Sequence, residues 1–119
     1  MFLKKKKVLL VYENAAEINA AEAYLCSKGY DTNKASDLND AFQLALNFQP
    51  DVIVINTQNI FPEIERFNKR IEQERKKKIE LLNLVDIDSY LKISVNEHVA
   101  IKPVQPSLLY HLIRLMIKN

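Results

Sequence analysis

The sequence contains a single glycine, Gly29, a single cysteine, Cys26, and no tryptophan. Loops that cradle phosphate groups need several closely spaced glycines, because backbone N–H groups must approach the anion. A lone cysteine excludes an internal disulfide and a cysteine-based zinc site, and its position among helical alanines predicts a small buried hydrophobe. These shortages argue against nucleotide-loop enzymes, and we expect no metal site and no cofactor.

Long hydrophobic runs are also missing. No apolar stretch approaches the roughly 20 residues that a membrane span needs, and the lysines at 4–7 follow the first apolar residues instead of preceding an apolar segment of signal length. We therefore expect a cytoplasmic chain, a single domain over residues 1–119, with no membrane partner.

The two signs of charge nearly balance: the sequence has 17 basic and 15 acidic residues, and its net charge is only +2. Such a balance does not argue for direct nucleic-acid binding. The basic residues cluster at 4–7 and 75–78, which we interpret as solvated edges, favourable beside a helix C-terminus.

The chain does contain short apolar runs that alternate with longer amphipathic segments. Five runs have the length and composition of strands: residues 8–12, 30–34, 51–56, 79–84 and 99–101. Helices are predicted between them: from a cap at Asn14 to Gly29, from a cap at Asp37 to Pro50, over about 61–77, over one or two turns within 86–93, and from Pro106 to about Lys118.

Strands that alternate with helices predict a parallel sheet covered on both faces, a three-layer α/β sandwich. In such folds the ligand site lies at the carboxyl ends of the strands. The polar or aromatic residues at or just past these ends form the candidate site: Tyr12, Glu13, Asn56, Asn83 and Lys102.

Three segments, 8–14, 50–56 and 100–103, occur in the order and at the spacing typical of one family. Over nearly its whole length the sequence resembles the receiver domains of two-component response regulators. The resemblance implies a flavodoxin-like sheet of order 2-1-3-4-5 with about five helices. The segment between Asn83 and Lys102 is shorter than in the family, which implies a shortened fourth helix.

The resemblance also implies a phosphorylation site, from which this sequence departs. Family members carry two acidic residues after the first strand, where Tyr12 and Glu13 stand here. The phosphoacceptor aspartate is replaced by Asn56, the hydroxyl residue after the fourth strand is best matched by Asn83, and the aromatic switch position is occupied by Val99.

The Lys-Pro pair of the family is kept. Lys102 is followed by Pro103, and the resemblance implies a cis peptide bond between them. Because no phosphate is left for Lys102 to neutralise, we expect its ammonium group to pair with Glu13.

An amide cannot replace the carboxylate nucleophile that forms an acyl phosphate, and magnesium prefers carboxylates beside phosphate and water. The sequence therefore predicts a pseudo-receiver: not an enzyme, but a phosphorylation-independent interaction module in signal transduction. The alternative is a working receiver that is phosphorylated at another acid, for which Asp51 and Glu13 are the candidates.

The last helix has apolar residues on more than one face. This surplus predicts a partner interface at Leu109, Ile113, Met116 and Ile117. Receivers commonly use the fourth helix, fifth strand and fifth helix to dimerise or to dock, so we expect a protein partner or a homodimer there. The alternative is that a short fourth helix lets the fifth helix be buried more deeply.

Overall fold

The structure is a computed structural model that describes residues 4–59, 61–90 and 98–117. The described residues form five strands: β1 (Lys7–Tyr12), β2 (Asp31–Ala35), β3 (Val52–Asn56), β4 (Glu80–Val85) and β5 (His98–Ile101). They form five helices: α1 (Ala15–Ser27), α2 (Leu38–Phe48), α3 (Phe61–Glu74), α4 (Ile87–Tyr90) and α5 (Pro106–Met116).

All neighbouring strands pair in parallel, in the order β2-β1-β3-β4-β5. The predicted sheet order and the three-layer architecture are therefore confirmed. Parallel strands covered on both faces are apolar throughout, and β1 and β3 are buried along almost their whole length.

The sheet divides the core into two halves. On one face, alternate residues of the central strands, such as Leu10 and Val54, pack with α1 and α5. On the other face, Leu9 and Ile53 pack with α2 and α3. This alternation follows from the two-residue period of a strand, and it decides on which side of the sheet each strand-end residue lies.

Local signals fix the helix ends. The side chain of Asn14 accepts a hydrogen bond from the Glu17 backbone N–H, and that of Asp37 accepts one from the Asp40 N–H, so both predicted N-caps are confirmed. Gly29 has φ +91°, a conformation that glycine adopts without steric cost, and it follows the end of α1 as expected.

Two sequence predictions about the helices were wrong. Cys26 is exposed, because α1 buries its Ile18, Ala21 and Leu25 stripe and Cys26 lies outside it. The third helix ends at Glu74, before the run of basic residues that was assigned to its last turn.

The described part of α4 has four residues. The rest of the segment predicted to hold it, 91–93, lies outside the described residues, so its shortening stays a prediction. Lys118, at the predicted end of the last helix, also lies outside them. No helix in the described ranges has both the length and the apolar character to span a bilayer.

Candidate functional site

The carboxyl ends of β1 and β3 bring the first site residues together. In the parallel register Tyr12 stands directly beside Asn56. Glu13 and Asn14 follow Tyr12 and lead into α1, so the first turn of that helix also reaches this edge of the sheet.

Two hydrogen bonds join the segment after β1 to the segment after β3. The Asn56 side-chain Nδ2 donates to Glu17 Oε2 at 3.1 Å. The backbone N–H of Gln58 donates to Glu13 Oε1 at 2.8 Å. Glu17 and Glu13 therefore each accept a hydrogen bond from the segment at the end of β3.

Glu17 is a site residue that was not among the candidates named from the sequence. A capping box would return its carboxylate to the backbone N–H of the cap residue, whereas here it reaches across to Asn56. Its position in the sequence could have identified it. Glu17 is the third residue of α1, and the first turn of a helix that follows a strand lies at the carboxyl edge of a parallel sheet.

Tyr12 takes the place where the family resemblance implies an acid, and its side chain is only 5% exposed. Burial, with a smaller contribution from the charge of Glu17, raises the pKa of Tyr12 far above its usual value. The phenol is therefore neutral across the physiological range and adds no negative charge to the site.

Asn83 does not lie where it was expected. It is the fourth of six residues in β4, is 2% exposed and pairs with Ile55, one position before Asn56. Strand alternation turns it toward the α2–α3 face, and extending the register places Leu84 level with Asn56 on the α1–α5 face. An apolar residue, not an amide, thus neighbours Asn56 on β4.

The fifth strand supplies Lys102 and Pro103. The Lys102 backbone N–H donates to the Val85 carbonyl oxygen at 2.7 Å, and the peptide bond to Pro103 is cis, as predicted. The predicted pairing of Lys102 with Glu13 was wrong, since none of the ion pairs between described residues joins them. Glu13 is engaged by Gln58 instead.

Val99, at the switch position, is half-buried and pairs with Asn83 in the sheet register. It has no ring to move between a buried and an exposed orientation. The structure therefore keeps an aliphatic strand residue where the resemblance implies an aromatic one.

The donor set does not fit a magnesium ion. Magnesium prefers charged oxygen ligands in an octahedral arrangement, whereas this edge offers a neutral phenol, a neutral amide and two carboxylates that are already hydrogen-bonded. Within residues 4–59, 61–90 and 98–117, no three histidine, cysteine or acidic side chains are grouped as metal ligands would be.

A groove of about 620 Å³ opens beside the site, between α1, β2 and α2. Tyr12, Glu13, Lys34, Asp40 and Leu44 are among its lining residues. Asn56 and Lys102 do not line it, so this groove is separate from the position that a phosphoryl group would occupy beside Asn56.

The predicted partner interface on α5 requires a correction. Leu109 and Ile113 are fully buried and pack against the sheet and α1, while Met116 and Ile117 are partly buried against the same cluster. These four side chains pack toward the core, which does not support a partner interface on them.

Exposed apolar side chains nevertheless occur nearby. In the part of the chain that the structure describes, the large hydrophobic residues that are well exposed all belong to α4, β5 and α5: Ile87, Tyr90, Ile101, Leu108 and Leu115. The end of the sheet that β5 forms is therefore the apolar side of the molecule.

No protein-family model matches the sequence, and no curated protein matches it. Solved structures do. A chemotaxis response regulator of Vibrio cholerae is 21% identical with a TM-score of 0.73, over 96% of this chain and 100% of that one. The receiver domain of a sensor histidine kinase from Pseudomonas aeruginosa, solved with magnesium in its active-site cleft, is 18% identical with a TM-score of 0.74, over 98% and 100%.

A third similar structure is a response regulator receiver domain from Methylobacillus flagellatus, 11% identical with a TM-score of 0.67, over 96% of this chain and 100% of that one. The match extends over whole domains in all three cases. The chain therefore has the fold of response-regulator receiver domains. At these identities the likeness establishes the fold, and the function has to be argued from the site.

Proposed function

We propose that this chain is a pseudo-receiver, a signalling module that binds a protein partner or a second copy of itself without being phosphorylated and without catalysing a reaction. Receiver domains generally act as signalling modules and not as enzymes, which supports this assignment for a chain with their fold. The observation that carries the proposal is the hydrogen bond from the Asn56 amide to Glu17 at the end of β3.

That hydrogen bond bears on the chemistry in two ways. The side-chain nitrogen of an amide is not a nucleophile toward phosphorus, and its oxygen carries no charge that would attack. In addition, the amide is hydrogen-bonded to the Glu17 carboxylate. The negative charge of that carboxylate would repel an incoming phosphoryl group. Both features oppose phosphorylation at this position.

The alternative phosphoacceptors are disfavoured by their surroundings. Asp51 precedes β3 and so lies at the amino edge of the sheet, and its carboxylate is bound by Lys7 and Lys77. Glu13 accepts the Gln58 N–H. Neither acid has the lysine of the fifth strand as an ion-pair partner.

The exposed apolar side chains of α4, β5 and α5 support a docking surface, because an apolar patch with a polar surround commonly marks a protein interface. Among the described strands β5 is an edge strand, and edge strands can pair with a partner chain. We place the interface on Ile87, Tyr90, Ile101 and Leu108, and not on the buried stripe of α5.

Phosphorylation is tested by incubating the chain with acetyl phosphate and magnesium and measuring its intact mass. We expect no phosphoryl adduct. The matched control is the double variant Tyr12→Asp with Asn56→Asp, which supplies both missing carboxylates and should bind magnesium in a calorimetric titration where the wild type does not. A stoichiometric adduct on the wild type would contradict the proposal.

Docking is tested first as self-association, by light scattering from micromolar to millimolar concentration. We expect a concentration-dependent dimer that the variant Ile87→Asp with Leu108→Asp converts to a monomer. Gln43→Asp, an exposed change on α2, is the control and should leave association unchanged. A monomer at every concentration for the wild type would rule out the homodimer.

A further inference from the structure

The two lysine runs, which are 68 or more positions apart in sequence, lie side by side in the fold. The Asp51 carboxylate joins them: its Oδ2 accepts the Lys7 backbone N–H at 2.7 Å, and its Oδ1 accepts the Lys77 ammonium at 3.0 Å. A second connection is close by, because the Glu80 N–H donates to the Asp51 carbonyl oxygen and the Glu80 carboxylate pairs with Lys78 at 3.2 Å.

We name this region the basic edge and define it as residues 4–7 and 75–78. It lies at the amino ends of β1, β3 and β4, opposite the candidate site. Its charge is only partly neutralised: Asp51 and Glu80 each pair with one lysine, while Lys4, Lys5 and Lys76 are exposed and belong to none of the ion pairs between described residues.

The electrostatics of Asp51 agree with this geometry. Burial alone would raise the pKa of this carboxyl group, but the hydrogen bonds from Lys7 and Lys77, with the nearby charges of Lys77 and Lys6, outweigh burial and lower the pKa. The Asp51 carboxylate thus holds the two runs together and remains surrounded by an excess of positive charge.

Positive charge is concentrated at this edge. The basic edge contains eight of the 17 basic residues, and the acids beside it are Asp31, Asp51, Glu74 and Glu80. The rest of the chain has nine basic and 11 acidic residues. A nearly neutral chain therefore carries its excess positive charge at one end, which an anionic surface would attract.

We propose that the basic edge binds the surface of an anionic phospholipid membrane. Clusters of four to eight basic residues adsorb to anionic headgroups. The absence of a spanning run does not bear on such surface binding.

Nucleic acid fits this edge less well. Proteins that bind single strands combine basic grooves with aromatic rings on which bases stack. Among the described residues, Phe48 is an aromatic side chain in contact with the basic edge. It is half-buried, with the Lys7 ammonium 5.4 Å from its ring centroid, and that ammonium also donates to the Phe48 carbonyl oxygen. The ring is therefore already occupied.

Binding to the basic edge would orient the whole domain. The sheet's carboxyl edge, with Glu13 and Glu17, would point away from the lipid. The proposed docking elements, α4, β5 and α5, lie at the β5 end of the sheet and would stay accessible to a partner.

The test is co-sedimentation with vesicles of phosphatidylcholine alone and of phosphatidylcholine mixed with phosphatidylserine. The full chain should bind the mixed vesicles, should not bind the neutral ones, and should be released as salt is raised. The charge-reversal variant Lys5→Glu with Lys76→Glu should bind at least about tenfold more weakly than the wild type. The control Arg66→Glu with Lys69→Glu changes the charge equally on the exposed side of α3 and should stay within about twofold of the wild type.

A competition experiment separates lipid from other polyanions. Duplex DNA, added at the same phosphate concentration as the anionic vesicles, should not displace the chain from them. Thermal unfolding of every variant verifies that it is folded. Equal binding to neutral and anionic vesicles, equal losses in both charge-reversal variants, or binding to duplex DNA with none to vesicles would overturn the proposal.

Discussion

At the scale of single residues, Asn56 and Glu17 decide how the end of β3 behaves. The amide donates to the carboxylate at 3.1 Å, so a neutral group and an acid share a space where two acids would repel. The asparagine is therefore compatible with its neighbour as well as incompatible with phosphoryl transfer.

The variant Asn56→Asp should lower the free energy of unfolding by about 1 kcal/mol at neutral pH, a modest value because the pair is solvent-exposed. Repulsion should raise the pKa of the introduced carboxyl group above its unfolded value. The destabilisation is then present above that pKa and disappears as the pH falls below it. Urea unfolding at several pH values measures this dependence.

Asn56→Ala is the control for this pair. It removes the same hydrogen bond without adding a charge, so its cost should be about 1 kcal/mol and should not depend on pH between about 6 and 8. A cost for Asn56→Asp that stays constant from acid to neutral pH would show that the two carboxyl groups do not interact.

Tyr12 provides a second pH test. Its folded pKa is raised by burial, so the neutral phenol is favoured in the fold. The resulting stability is complete below the unfolded pKa of about 10 and is lost as the pH rises through the folded value. In an alkaline absorbance titration of the five tyrosines, the Tyr12 step should therefore appear only with unfolding.

The variant Tyr12→Phe should lose less stability than the wild type when the pH rises above about 10, because it has no phenol to ionise on unfolding. Tyr24→Phe is the comparison on α1, where the ring is partly exposed. Identical alkaline stability curves for wild type and Tyr12→Phe would mean that the buried phenol ionises in the folded state.

At the scale of elements, the sequence pattern of α5 predicted where the helix lies but not which of its faces is buried. Its start at Pro106 and its approximate length follow from capping and periodicity. Apolar residues lie all round this helix, so the pattern alone could not separate the inner stripe from the outer surface. Packing with α1, including Tyr110 between Tyr24 and Tyr30, decides it.

The two faces of α5 can be separated by Ile113→Ala and Leu115→Ala. Ile113 is fully buried, so its truncation should lower the free energy of unfolding by about 2–5 kcal/mol through lost transfer energy and an added cavity. Leu115 is 72% exposed, and its truncation should change stability by less than about 0.5 kcal/mol. Equal costs in thermal or urea unfolding would contradict this assignment of the two faces.

The same limit explains the errors at the site. The strands, their order and the approach of Tyr12, Glu13 and Asn56 follow from apolar runs and from the family resemblance. The Glu17 contact and the inward position of Asn83 do not, since both depend on register at the level of one residue. A shift of one position in β4 moves a side chain to the other face of the sheet.

At the scale of the whole molecule, the basic edge should carry a cost in the absence of a partner. Eight basic residues repel one another there, and only Asp51 and Glu80 among the described acids form ion pairs with them. Salt screens both the repulsion and these pairs, and the repulsion should dominate because the like charges are more numerous.

Raising sodium chloride from about 10 mM to about 150 mM shortens the Debye length from about 30 Å to about 8 Å. The free energy of unfolding should then rise by about 0.5 kcal/mol. Lys5→Glu with Lys76→Glu should be more stable than the wild type at low salt and should lose most of this dependence, whereas Arg66→Glu with Lys69→Glu should keep it. If the wild type were instead destabilised by salt, the ion pairs of Asp51 and Glu80 would outweigh the repulsion, and the basic edge would have less free charge to offer an anionic surface.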